Sequence, residues 1–139
     1  MALNQSVIPS KVKLHRKSCV LEITFGEKTF HLPAEYLRVF SPSAEVKGHG
    51  PGQEVLQLNK QNVAITGLEP QGNYALRVLF SDGHDSGIYS WEYLLQLAEN
   101  EHANWREYKQ RAERHQQQEQ ERAESENVSP VKWIDPNQN

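Results

Sequence analysis

The sequence predicts an α+β fold: a small, mostly antiparallel β-sheet with short helices packed on one side, followed by a helical and disordered C-terminal tail. Three observations lead there. Short runs rich in β-branched and aromatic residues recur between residues 11 and 89. Glycine-containing turns separate them. Two amphipathic patterns, at 34–40 and 91–98, have the spacing of helices.

Taken in order, residues 1–10 are polar, contain Pro9 and read as a flexible arm. Val12 and Leu14 alternate with charges and mark a short first strand. Val20 to Phe25 is a stronger one; Gly26-Glu27-Lys28 breaks it and Thr29 to Leu32 resumes it, which predicts a hairpin. Pro33 suits the first turn of a helix, where its missing N–H is not needed. Ala34 to Phe40 then places Tyr36, Leu37 and Phe40 on one face, and the helix stops before Ser41-Pro42. Residues 41–53 read as a loop centred on Gly48-His49-Gly50-Pro51-Gly52.

Val55–Leu58 and Val63–Ile65 read as two short strands, and Tyr74–Phe80 as the strongest in the chain. Ser81-Asp82-Gly83 is a tight-turn signal, and Gly87–Tyr89 is expected to pair back. Ser90 is a good N-cap for a helix over Trp91–Ala98. Residues 100–126 are rich in Glu, Gln, Arg and Ala, and predict a solvent-exposed helix whose apolar stripe is Trp105, Tyr108 and Ala112. Residues 127–139 read as a disordered tail. The folded unit is thus 11–99.

Composition narrows the function classes. A chain of 139 residues fits one domain. The formal net charge is −3, so the basic field that drives phosphate-backbone binding is missing and no nucleic-acid partner is expected. The cluster Lys11, Lys13, His15, Arg16 and Lys17 is short and reads as a solvated strand face. One cysteine, Cys19, permits no intrachain disulfide and no Cys-rich zinc site; beside Val20 it reads as a packed thiol in a strand. There is no apolar core of a leader peptide and no apolar run near the roughly 20 residues a membrane span needs. The expected location is cytoplasmic, without membrane association.

Three strings carry a resemblance. They are Leu32-Pro33-Ala34-Glu35-Tyr36-Leu37-Arg38, Glu69-Pro70-Gln71-Gly72-Asn73-Tyr74-Ala75-Leu76-Arg77, and Phe80-Ser81-Asp82-Gly83-His84-Asp85-Ser86-Gly87-Ile88-Tyr89-Ser90-Trp91. Together they resemble the gamma-butyrobetaine hydroxylase-like N-terminal domain over residues 11–98, in its free-standing bacterial form. The resemblance implies a module that also occurs at the N-terminus of carnitine-pathway hydroxylases and fused to iron–sulfur carrier ATPases. It further implies a zinc site of three cysteines and one histidine. Here the cysteine positions read Ser41, Ser43 and Val46, and His84 stands at the histidine. A tetrahedral structural zinc takes four N or S ligands, so the resemblance does not carry that site across. It does not carry oxygenase chemistry either. The six histidines are followed two places on by Lys17, Pro33, Pro51, Ser86, Asn104 and Gln117, so the His-x-Asp/Glu opening of an iron facial triad is absent.

The strongest candidate cluster is Asp82, His84 and Asp85, with His49 in the glycine-rich loop as a further member. Carboxylate plus imidazole suits iron or zinc. The alternative is that Asp82-Gly83 is a tight turn capped locally by Asp85 and Ser86. Glu45, His49, Tyr89 and Trp91 are the candidate partner-binding residues. The Gly-x-Ser-x-Gly elbow is absent, and whether a Ser–His–acid site converges is something spacing cannot show. The expectation is a non-catalytic binding or accessory module for a protein partner in an iron or iron–sulfur setting, followed by a metal-binding protein built on His84, then by a small enzyme.

Overall fold

The computed structural model describes residues 7–48 and 54–134, with side chains described as far as residue 125. His49 and most of its loop, the first six residues of the arm and residues 135–139 lie outside the described part.

Alternation builds the first half. Strands β1 (Lys11–His15), β2 (Val20–Phe25) and β3 (Lys28–Pro33) form an antiparallel sheet in the order β1-β2-β3. The register sets Leu14 opposite Leu21, Leu21 opposite Leu32 and Ile23 opposite Phe30. Apolar residues of all three strands therefore share one face, and Leu21, Ile23 and Leu32 are fully buried there. Lys11, Lys13, Glu22 and His31 fall on the other face. Gly26, at φ +61, opens the two-residue turn between β2 and β3, where a side chain would be strained. Cys19 departs from expectation: it sits in the turn before β2, at φ +58, and not within a strand.

Helix α1 (Ala34–Val39) follows directly, with Pro33 as its extended N-cap and not its first helical residue. The predicted loop from 41 contains one helical turn, α2 (Ala44–Lys47), whose N-cap Ser43 accepts from the Glu45 N–H at 3.1 Å.

The second sheet comprises β4 (Ile65–Gln71), β5 (Ala75–Phe80) and β6 (Gly87–Ser90), antiparallel in that order. The single sheet expected is therefore two sheets of three strands. Val55–Leu58 is not a strand, and the strand that pairs with β5 runs instead through Gly67 and Pro70. Both residues weaken strand propensity. They are tolerated because β4 is an edge strand, where Pro70 needs no N–H partner, and because the register shifts at Ile65/Gly67.

Helix α3 (Trp91–Glu99) starts at Ser90, whose Oγ accepts from the Tyr93 N–H at 3.1 Å. Three phenols fasten α1 and its C-terminal end. Tyr36 donates to the Leu97 carbonyl at 2.6 Å, Tyr93 to Phe40 at 2.6 Å, and Tyr89 to Leu37. Burial pushes Tyr36 and Tyr93 up to about 12, so both stay neutral donors.

Helix α4 (Glu101–Ile134) continues past residue 126, where composition suggested the helix would end. The chain forms two compact units, Met1–Asn104 and Trp105–Asn139. Within the second, Trp105 and Tyr108 meet edge to face, 5.3 Å between ring centres. No helix among the described residues is long and apolar enough to cross a membrane.

Candidate functional site

The loop between β5 and β6 turns a histidine inward. Gly83, at φ +90, makes the bend; its N–H donates to the Phe80 carbonyl at 3.1 Å, and the Phe80 N–H donates to His84 at 3.0 Å. Asp82 Oδ1 accepts from the His84 N–H at 3.2 Å, closing a local Asx turn. The His84 side chain is 2% exposed as a result.

Its ring lies between two residues of the α1–α2 corner. Nε2 is 2.8 Å from Ser41 Oγ, and Nδ1 is 3.0 Å from Glu45 Oε1. A carboxylate at Nδ1 favours the proton there, which leaves Nε2 to accept from the Ser41 hydroxyl. Ser41 Oγ also accepts from the Ser43 N–H at 3.2 Å, and Ser43 Oγ is 2.6 Å from Ser86 Oγ. Gly87 completes the fit: a methyl group there would stand 2.6 Å from Ser41 Oγ and 3.2 Å from the Tyr89 ring.

Charge surrounds this core. Arg38 Nε and Lys60 Nζ both donate to Asp82 Oδ2, at 2.9 and 3.0 Å. The Arg38 side chain is 8% exposed, and its guanidinium Nη1 is buried without a partner among the described residues. Burial works against the Asp82 carboxylate, but Lys60, the His84 N–H and Arg38 outweigh it and hold the group at about 2. Burial, then the Arg38 charge, pushes His84 below the ordinary imidazole value, while Glu45 and Asp82 pull the other way.

Of the predicted metal cluster, His49 lies outside the described residues, and Asp82, His84 and Asp85 do not turn toward one point. His84 and Asp82 are neighbours, yet the ring faces Ser41 and Glu45 while the carboxylate faces two cations. Asp85 turns outward to Arg77, 3.3 Å away. Among the described residues, no three His, Cys, Asp or Glu side chains converge as metal ligands. The zinc that the resemblance implies does not fit either. Ligands around a tetrahedral zinc stand roughly 3.3–3.8 Å apart, from bonds of about 2.0–2.3 Å. The contacts here are hydrogen bonds, at 2.8 Å between the Ser41 hydroxyl and the His84 imidazole and at 2.6 Å between the Ser43 and Ser86 hydroxyls.

Ser41, His84 and Glu45 do reproduce the hydrogen-bond order of a hydrolytic triad. Ser41 is fully buried, however, and a Cβ added at Gly87 would stand 2.6 Å from its hydroxyl. A separate cavity lined by Phe40, Tyr93, Gln96, Leu97, Asn100 and Asn104 offers carboxamides and a neutral phenol.

Of the candidate partner-binding residues, Glu45 is displayed at the corner, its side chain 71% exposed. Tyr89 is corrected: it is fully buried and belongs to the core. Trp91 is half-buried, and its indole N–H donates to Asn73 at 2.8 Å, at the opposite end of β5 from His84. Sequence reading missed Arg38 and Lys60, which are 44 and 22 positions from Asp82. The local signal that could have marked the corner is Ser43 as a helix N-cap, which was not read from the sequence.

The comparisons agree with this framework. The family model described as gamma-butyrobetaine hydroxylase-like, N-terminal, matches residues 12–95. Two solution structures determined by NMR are 51% and 46% identical, with TM-scores of 0.64 and 0.68. The first match covers 73% of this chain and 80% of the other, the second 78% and 82%. A crystal structure from Acidithiobacillus ferrooxidans, of a DUF971-family protein of unknown function, is 32% identical at a TM-score of 0.56 and covers 67% and 94%. No curated protein matches. With 84 consecutive residues matched, more than half its length, the chain belongs to the gamma-butyrobetaine hydroxylase-like N-terminal family.

Proposed function

We propose that this chain is a non-catalytic binding module that engages a protein partner through the α1–α2 corner and the adjoining β5–β6 loop, in an iron or iron–sulfur setting. One observation carries the reading. Ser41, Ser43 and His84 turn inward and are engaged by each other, by Ser86 and by Glu45, whereas the side chains of Glu45 and Asp85 and the nearby strand residue Ile88 are exposed. Such a rim, with acidic groups beside an apolar one, suits recognition better than chemistry. The occluded Ser41 hydroxyl supports the same reading, since a nucleophile must be reached by its substrate. The metallocofactor setting rests on the family's association with iron enzymes and iron–sulfur carriers.

The test is affinity capture with the full chain, comparing wild type with Glu45→Lys/Asp85→Lys and with Lys13→Glu on the first sheet. The expected result is an iron or iron–sulfur protein retained by wild type and Lys13→Glu but lost from the double variant. Retention of that protein by all three would move the interface elsewhere.

A further inference from the structure

We infer that hydrogen bonds, and not a zinc ion, cross-link the corner between α1–α2 and the β5–β6 loop in this chain. The three positions at which the resemblance places thiolates carry two hydroxyls and an isopropyl group, Ser41, Ser43 and Val46. The hydroxyls are not idle. Ser41 bridges α1 to His84, and Ser43 bridges the start of α2 to Ser86, so two contacts cross between segments 43 residues apart in each case. Val46 is buried, as an apolar side chain should be where no ligand is required.

Three geometric facts make the network self-sufficient. Both ring nitrogens of His84 are engaged, leaving no lone pair for a metal unless Ser41 lets go. Ser41 and Ser43 are 0% and 6% exposed, so their hydrogen bonds form where a broken one leaves an unsatisfied group. The clearance at Gly87 is already filled by Ser41 Oγ.

This inference does not depend on the partner reading, because unfolding and metal content decide it. Full-length protein purified without chelator is assayed for zinc and iron, then unfolded thermally with and without EDTA. Wild type is compared with Ser41→Ala, Ser43→Ala and His84→Gln. The expected result is metal far below one equivalent in all four, a midpoint indifferent to EDTA, and a loss of about 4–8 °C in each serine variant. Ser43→Ala keeps the experiment decisive if Ser41→Ala or His84→Gln does not fold, since among the described residues its hydroxyl reaches the β5–β6 loop through the exposed Ser86 alone. One equivalent of zinc released by EDTA with a fall in midpoint would overturn the inference. So would serine variants as stable as wild type.

Discussion

Glu22 and Asp82 are both carboxylates held at about 2, and the contrast between their surroundings explains much of this molecule. Glu22 lies on the open face of the first sheet. His15 and Lys11 hold it by hydrogen bonds at 2.7 and 2.9 Å, and the Lys11 side chain is 53% exposed. Asp82 is held by Lys60 and by an Arg38 whose side chain is nearly sealed from water. The proton affinities match, but the consequences do not. Exposed cations around Glu22 are interchangeable with water and salt. Around Asp82, the charges fix a loop that in turn aims His84 at Ser41. A depressed pKa therefore marks a strong local field in both places; the Glu22 and Asp82 side chains are 14% and 24% exposed, so it is the nearly sealed Arg38 partner, and not burial of the carboxylate itself, that turns the field into architecture.

The largest effect should come from crowding the buried corner. Gly87→Ala forces a methyl to within 2.6 Å of Ser41 Oγ, and is expected to destabilise by about 1–3 kcal/mol in urea unfolding. A silent Gly87→Ala would mean that the corner is as loose as the Glu22 face, and the contrast would collapse.

Next comes pH. His84 is held below its ordinary value of 6.5, so the folded state resists protonation that the unfolded chain accepts. The contribution is whole above about pH 6.5 and declines as pH falls below it, levelling off beneath the folded value. Wild type should lose thermal stability between pH 7.5 and 5.5, and His84→Gln should lose less. Equal slopes would place the titrating group elsewhere.

The smallest effect belongs to Glu22→Gln. Any change in midpoint at low ionic strength should disappear in molar salt, because every partner of that carboxylate is within reach of solvent ions. A loss that survives salt would make the open face as structural as the corner.

Legibility in the sequence followed the range of the interactions. The hairpin of β2 and β3, helix α1 and helix α3 were readable because each is announced by neighbours: alternation, Gly26, Pro33, the Ser90 cap. The strand β4 was not, since Gly67 and Pro70 argue locally against it and only its partner β5 argues for it. The tight turn at Asp82-Gly83 was readable, but what it aims was not. Whether Asp82 and His84 share a metal or part company depends on Arg38 and Lys60, whose distance along the chain conceals their contact. Tyr89 shows the same limit, since an aromatic beside a turn looks alike in sequence whether it lines a surface or fills a core.

What the sequence determined by itself was the family, the α+β class, the absence of cysteine at positions 41, 43 and 46 and the inward apolar face of the first sheet. These depend on residue identity and on spacings of two to four. Tertiary structure alone decided that there are two sheets, that His84 is satisfied by Ser41 and Glu45, and that Ser41 is buried. Those outcomes depend on which distant segments exclude water together, and burial is a property of the packed chain that no local pattern encodes.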